Sequence, residues 1–186
     1  LEVLAGAAAA KGAGAVAATA ERLVGEAISM TREPAIGLLV GERLLVNTHG
    51  MLGYAAMSSV TIRQMLELFE HFIRLRIALI TARHEVHADE VRLSFTEVLP
   101  LGDIRRPVLE CVLLAVKNVL DFITMGSCRL GYVAFPFERP DYAVLAEGLF
   151  KCEVRYGQSW AGFSLPPDQL DTPLKMADPA AFQEAA

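Results

Sequence analysis

Near residue 77 the apolar residues of this chain change their spacing, and that change rules out both a purely helical and a purely sheet architecture. Upstream, Ile62, Met65, Leu66, Phe69, Phe72 and Ile73 recur three and four apart, while Arg63, Glu67, Glu70, His71 and Arg74 fall mostly on the other side. That is the pattern of an amphipathic helix, from Thr61 to about Arg76. Downstream, Ala78, Ile80 and Ala82, then Val91, Leu93 and Phe95, alternate with period two about a polar turn at His87, Ala88 and Asp89. Alternation of this kind predicts a β-hairpin.

The same reading extends in both directions. Val16, Ala20, Leu23, Val24, Ala27 and Ile28 predict a helix from Val16 to Met30, and Pro34 suits the first turn of a short helix running through Leu38, Leu39 and Leu45. The segment from Asn47 to Gly53 carries turn chemistry, and Ser59 can cap the helix that follows. A long helix is expected from Asp103 to Thr124, with Asp103 as N-cap, Pro107 in the first turn and Gly126 ending it. Between Val108 and Val116 it is apolar nearly all round, interrupted by Glu110, which suits a helix central to a core or forming half of a subunit interface. Strands at Leu130 to Phe135, Val154 to Tyr156 and Ala161 to Leu165, with a helix from Asp141 to Phe150, complete the expectation. The fold class is α+β: a helical N-terminal half packed with a mixed or antiparallel sheet in ββαβαββ order.

Bulk composition narrows the function classes. With 186 residues, 53% hydrophobic and 21% charged, the chain has the length and apolar content for one domain with a substantial core, and residues 1–186 are read as one unit. A formal charge of −5 leaves no excess of Lys and Arg to neutralise a phosphate backbone, so this segment by itself is not expected to bind nucleic acid. Cys111, Cys128 and Cys152 form no C-x-x-C pair and are odd in number, which suits a reducing cytoplasm. The Ala- and Gly-rich stretch from Val3 to Ala20 contains Lys11 and lacks a Leu-rich run behind a basic start, so neither a signal peptide nor a membrane span is expected.

Few residues suggest chemistry. Gly12, Gly14 and Ala17 match the G-x-G-x-x-A spacing of dinucleotide loops, but no strand is expected before them. His84, His87 and Asp89 lie close in sequence as metal ligands would, yet an odd separation on an extended strand sends the two rings to opposite faces, and no metal is assigned. HEVH is one residue short of the zinc hydrolase helix. His71 shares a helical strip with Glu67 and Arg74, which can either clamp an ionic effector or simply face water. No cofactor is implied. Tyr54, Tyr132, Tyr156 and Trp160 are the aromatic groups suited to a mostly apolar pocket with a few directed hydrogen bonds. From these, Tyr54, His71, Arg74, Tyr132 and Trp160 are the candidate ligand-binding residues.

Two long blocks carry a resemblance. The first is Gly50, Leu52, Gly53, Tyr54, Ala55, Ser58 and Ser59 opening a long helix. The second is Leu149, Phe150, Cys152, Val154, Arg155, Tyr156 and Gly157, then Leu165 and Pro166, then Leu170, Asp171, Pro173 and Leu174. Both resemble, in order and spacing, the N-terminal arabinose-binding-like domain of AraC/XylS-type transcription regulators. The resemblance implies a cytoplasmic sensor of a small effector, such as an amino acid or another metabolite, that also helps a homodimer form. It implies too that promoter DNA is contacted through a helix-turn-helix domain expected after residue 186. Two rival readings remain at this point: a dimerisation module that senses nothing, and an enzyme using His71 with a carboxylate such as Glu67.

Overall fold

The structure is a computed structural model and describes residues 2–185. It is α+β, with a largely helical N-terminal half and a mixed sheet. Helix α1 (Glu2–Thr31) is longer than the apolar spacing alone predicts and contains Gly12 and Gly14 in its interior, so the G-x-G-x-x-A match lies in continuous helix and not in a phosphate-binding turn. Its core-facing stripe is Ala17, Ala20 and Val24; Val16 and Leu23, expected on that stripe, are about half exposed.

Helix α2 (Ile36–Arg43) follows, and then the expected turn at Asn47 to Gly53 is helical instead: a 3-10 turn (Val46–His49) runs into α3 (Gly50–Ser58). Helix α4 (Ile62–Arg76) is capped by Thr61, whose hydroxyl accepts from the Gln64 amide at 3.2 Å, while Gln64 Oε1 accepts from Val60 N at 2.7 Å. Ser59 is not the cap; its hydroxyl donates back to the Ala55 carbonyl. Nor does Asp103 cap the long helix. A 3-10 turn (Gly102–Ile104) leads directly into α5 (Arg105–Ile123), and the orphan amides receive no side-chain cap there. Gly126 ends α5 as expected: at φ +75° its amide donates to the Asp121 carbonyl.

Strands β1 (Ile80–Val86) and β2 (Val91–Glu97) form the hairpin. They are joined by β3 (Tyr132–Ala134), then β4 (Glu153–Arg155) and β5 (Ala161–Leu165), with helix α6 (Ala143–Phe150) between β3 and β4. Across the sheet the order is β1-β2-β5-β3-β4, antiparallel throughout except for the parallel pair β3 and β4. Leu93, Phe95, Val133, Val154, Phe163 and Leu165 line the inner face and pack beneath the helices.

Helix α5 is the hub. It touches α2, α3, α6 and β5, which is why it is buried on nearly every side. Its approach to α2 is unusually close because Gly37 and Gly41, one turn apart, face it. A Cβ on Gly37 would lie 2.6 Å from the Pro107 Cα, and one on Gly41 would lie 2.9 Å from the Cys111 carbonyl oxygen. The chain closes with α7 (Pro179–Ala185), which packs on α3.

Candidate functional site

Two apolar clefts open along α5. The stripe Cys111, Val112, Ala115, Val116 and Val119 forms the floor of the first, Phe69 and Ile73 of α4 with Ile77 form one wall, and Leu44, His49, Leu52 and Gly53 form the other. Residues four apart on α4 and one turn apart on α5 face each other because both helices are amphipathic and share a core boundary. This cleft holds about 280 Å³. The second, of about 230 Å³, lies between α1, α2 and α5, lined by Leu23, Val24, Ala27, Val40 and Val108 among others. Ile77, Cys111 and Val112 belong to both, so the two adjoin along one edge of α5. His49 and Cys111 are the polar side chains of the first lining, and Cys111 that of the second; neither lining contains a charged residue.

A polar cluster lies deeper in the core. Glu110 is 1% exposed. Its Oε1 accepts from the Tyr142 hydroxyl at 2.9 Å, and its Oε2 has no hydrogen-bond partner among the described residues. Burial pushes this carboxyl up to about 7, against the opposing influence of the Tyr142 hydrogen bond and the Arg106 charge. The hydroxyl of Tyr156 is likewise buried without a partner.

The outer face of the sheet carries a third group, built by strand register. Tyr132 of β3 pairs opposite Ser164 of β5, and both donate to Glu90 Oε2, at 3.1 and 2.6 Å. Arg92 Nε donates to Glu90 Oε1 at 2.6 Å and stacks its guanidinium 5.2 Å from the Trp160 ring. Trp160 and Tyr132 meet edge-to-face at 6.0 Å, and the Arg155 guanidinium lies 3.7 Å from the Tyr132 ring centre. The Ser164 hydrogen bond, helped by Arg92 and Tyr132, holds the Glu90 carboxyl below the usual carboxylate range.

Of the five residues expected to bind ligand, the structure brings Tyr132 and Trp160 together in this outer cluster. Tyr54 stands 45% exposed on α3, next in sequence to the cleft residues Leu52 and Gly53 but outside the lining. His71 and Arg74 are on the solvent face of α4, where His71 Nδ1 lies 2.7 Å from the Glu67 carbonyl. His71 lines none of the clefts described above. His84 Nδ1 lies 3.0 Å from Glu70 Oε1, whereas His87 Nε2 is 3.7 Å from Glu85, and among the described residues no three His, Cys, Asp or Glu side chains gather to hold a metal. All three cysteines are free, with burial pushing their thiols up to about 11. Sequence reasoning missed the cleft residues of α4 and α5. Their signal was a stripe of Cys, Val and Ala on α5 facing Phe69 and Ile73, narrow enough to leave space between helices.

Comparison with known proteins bears on the family and the fold. The family described as the arabinose-binding domain of AraC transcription regulators, N-terminal, matches residues 5–174. The ornithine utilization regulator of Pseudomonas aeruginosa is 27% identical over 162 residues, which cover 87% of this chain and 48% of that protein. The crystal structure of the transcriptional regulator CdpR from Pseudomonas aeruginosa superposes with a TM-score of 0.74 at 21% identity, covering 89% of this chain and 54% of that one, a likeness of fold. The chain therefore spans about half the length of each. Among the described residues no helix is long and apolar enough to cross a membrane.

Proposed function

This chain belongs to the family of N-terminal arabinose-binding domains of AraC transcription regulators, and on that footing we propose that it is the effector-sensing unit of such a regulator, with the first α5 cleft as the place where the effector is held. The observation that carries the reading is the position of that cleft. It lies where α3, α4 and α5 meet, so an occupant contacts three helices at once and favours whichever arrangement of them fits it best. Helix α3 in turn packs on α7, and the Asp178 amide donates to the Ser58 carbonyl at the end of α3, so the cleft wall is tied to the last described segment. A DNA-binding region outside residues 1–186 would then feel the effector through a difference in affinity for two domain arrangements.

The rest of the assignment belongs to the same proposal: a cytoplasmic homodimer, a metabolite as effector, promoter contact through sequence outside this chain, and a ββαβαββ succession that sandwiches α5 between sheet and α2. Tyr54, His71, Arg74, Tyr132 and Trp160 stay proposed as ligand contacts outside that lining, Tyr54 next in sequence to the cleft wall on α3, His71 and Arg74 on the solvent face of α4, and Tyr132 and Trp160 on the outer face of the sheet. Calorimetric titration of the chain against a metabolite panel, repeated with alanine at each of these five positions, tests both parts. Saturable binding by at least one compound is expected. Sedimentation showing a dimer that no compound binds or alters would replace sensing with simple dimerisation.

A further inference from the structure

We infer that the effector is a small apolar molecule, an alkyl chain or an aromatic ring with at most one or two polar atoms, and not a sugar or a free amino acid. The inference rests on the reading that the α5 cleft holds the effector. Both adjoining clefts are walled mainly by Leu, Ile, Val, Ala and Phe side chains, with His49 and the Cys111 thiol as the polar side chains of the linings and no charged group in either. A free amino acid brings two charges into that space, and a sugar brings a hydroxyl on nearly every carbon. Each would lose water without gaining a partner, which is the costliest way to bury a polar group. The buried carboxyl that could answer an ammonium, Glu110, lies outside both linings; its Oε1 accepts from Tyr142, and its Oε2 is buried in the core.

Size points the same way. About 280 Å³ is just below the roughly 300–1,000 Å³ range of small-molecule sites. A single ring or a short chain fits, and a longer chain extends across Ile77, Cys111 and Val112 into the second cleft.

The test uses a series of straight-chain primary alcohols from butanol to octanol, with L-arabinose and L-ornithine, on the methyl-labelled chain observed by NMR. Alcohols should shift the Ile73 and Ile77 methyl resonances while leaving Ile104 and Ile62 in place. Each added methylene should tighten binding by about threefold to fourfold, the increment expected for a buried methylene. Ala115→Phe, which fills the cleft floor, should weaken octanol by tenfold or more. Should that variant fail to fold, Leu52→Phe at the partly buried wall serves the same purpose, and the wild-type chain-length series stands independently. Arabinose or ornithine shifting the same methyls, with the alcohols inert, overturns the apolar class and leaves effector sensing in this cleft intact. If no probe moves Ile73 or Ile77, this inference and the assignment of the site both fall.

Discussion

Glu110 and Glu90 are carboxylates in opposite situations, and they give the protein opposing responses to pH. Glu110 is buried among α2, α5 and Tyr142, and its folded value is raised from 4.5 to about 7. Between those two values the folded chain keeps a proton that the unfolded chain has released, so stability falls as pH rises through the window. The full effect is up to about 3 kcal/mol, at about 1.4 kcal/mol for each tenfold change in proton affinity. Glu110→Gln is expected to flatten the dependence of the urea midpoint between pH 5 and 8 and to raise the midpoint at pH 8. An unchanged slope would mean that Glu110 is ionised in the fold at no cost. Glu90 behaves in the reverse sense. Held low by Ser164, Arg92 and Tyr132, it contributes stability above its unfolded value that is lost as pH falls through the folded one. Glu90→Gln should therefore destabilise the chain at pH 7, with the difference from wild type vanishing under strongly acidic conditions.

Helix contacts set what can be read from sequence at the scale of elements. Gly37 and Gly41 look like weak points in a helix, yet they are where α2 meets α5 backbone to backbone. Gly41→Ala gains about 1 kcal/mol in helix propensity but places a methyl 2.9 Å from the Cys111 carbonyl and 3.0 Å from Leu114 Cβ. Overpacking costs about 1–3 kcal/mol, so net destabilisation is expected, and Gly37→Ala should cost more because its new methyl meets the Pro107 backbone. Gly148 in α6 is the control: nothing lies within 4 Å of its Cβ position, and Gly148→Ala should stabilise by up to about 1 kcal/mol. Thermal unfolding of the three variants checks the ordering. The same physics explains which elements were legible. α4 and the hairpin follow from apolar period because each turns one face to the core, and α5 follows from a run that is apolar nearly all round, as suits a helix packed against several partners. α3 was hidden by N-T-H-G-M-L-G, whose glycines read as turn formers; Gly53 is instead needed because a Cβ there would run into the Val46 carbonyl. The cleft was hidden because an apolar stripe has the same spacing whether it meets another side chain or a space. Tyr132 and Trp160 were recognisable as aromatics, but their meeting depends on the register of β3 against β5, a long-range pairing that no local pattern encodes.

At the scale of the whole molecule the question is how an occupied cleft could be felt at a distance. The α3 end of the cleft is strapped to the C-terminal segment by a run of local ties. Leu174 N donates to the Val60 carbonyl at 2.8 Å, Arg63 N to the Leu170 carbonyl at 2.9 Å, and the Arg63 guanidinium holds Asp171 through two hydrogen bonds at 2.7 and 2.8 Å. Ligand that bridges α3 to α4 and α5 suppresses local opening of α3, and the strap passes that ordering to residues 170–185. Saturation with octanol is therefore expected to slow amide exchange in α3 and in α7, and not merely in α5. Asp171→Ala cuts the side-chain part of the strap at an exposed site. It should reduce the slowing in α7 while leaving octanol affinity within about threefold of wild type, because Asp171 lies outside the cleft lining. Protection confined to α4 and α5 in the wild-type chain would break the proposed route. In that case the connection to the proposed DNA-binding region would have to run through the proposed dimer contact instead, where Asp171→Ala is expected to have no effect and a change in subunit association with octanol would be measurable by sedimentation.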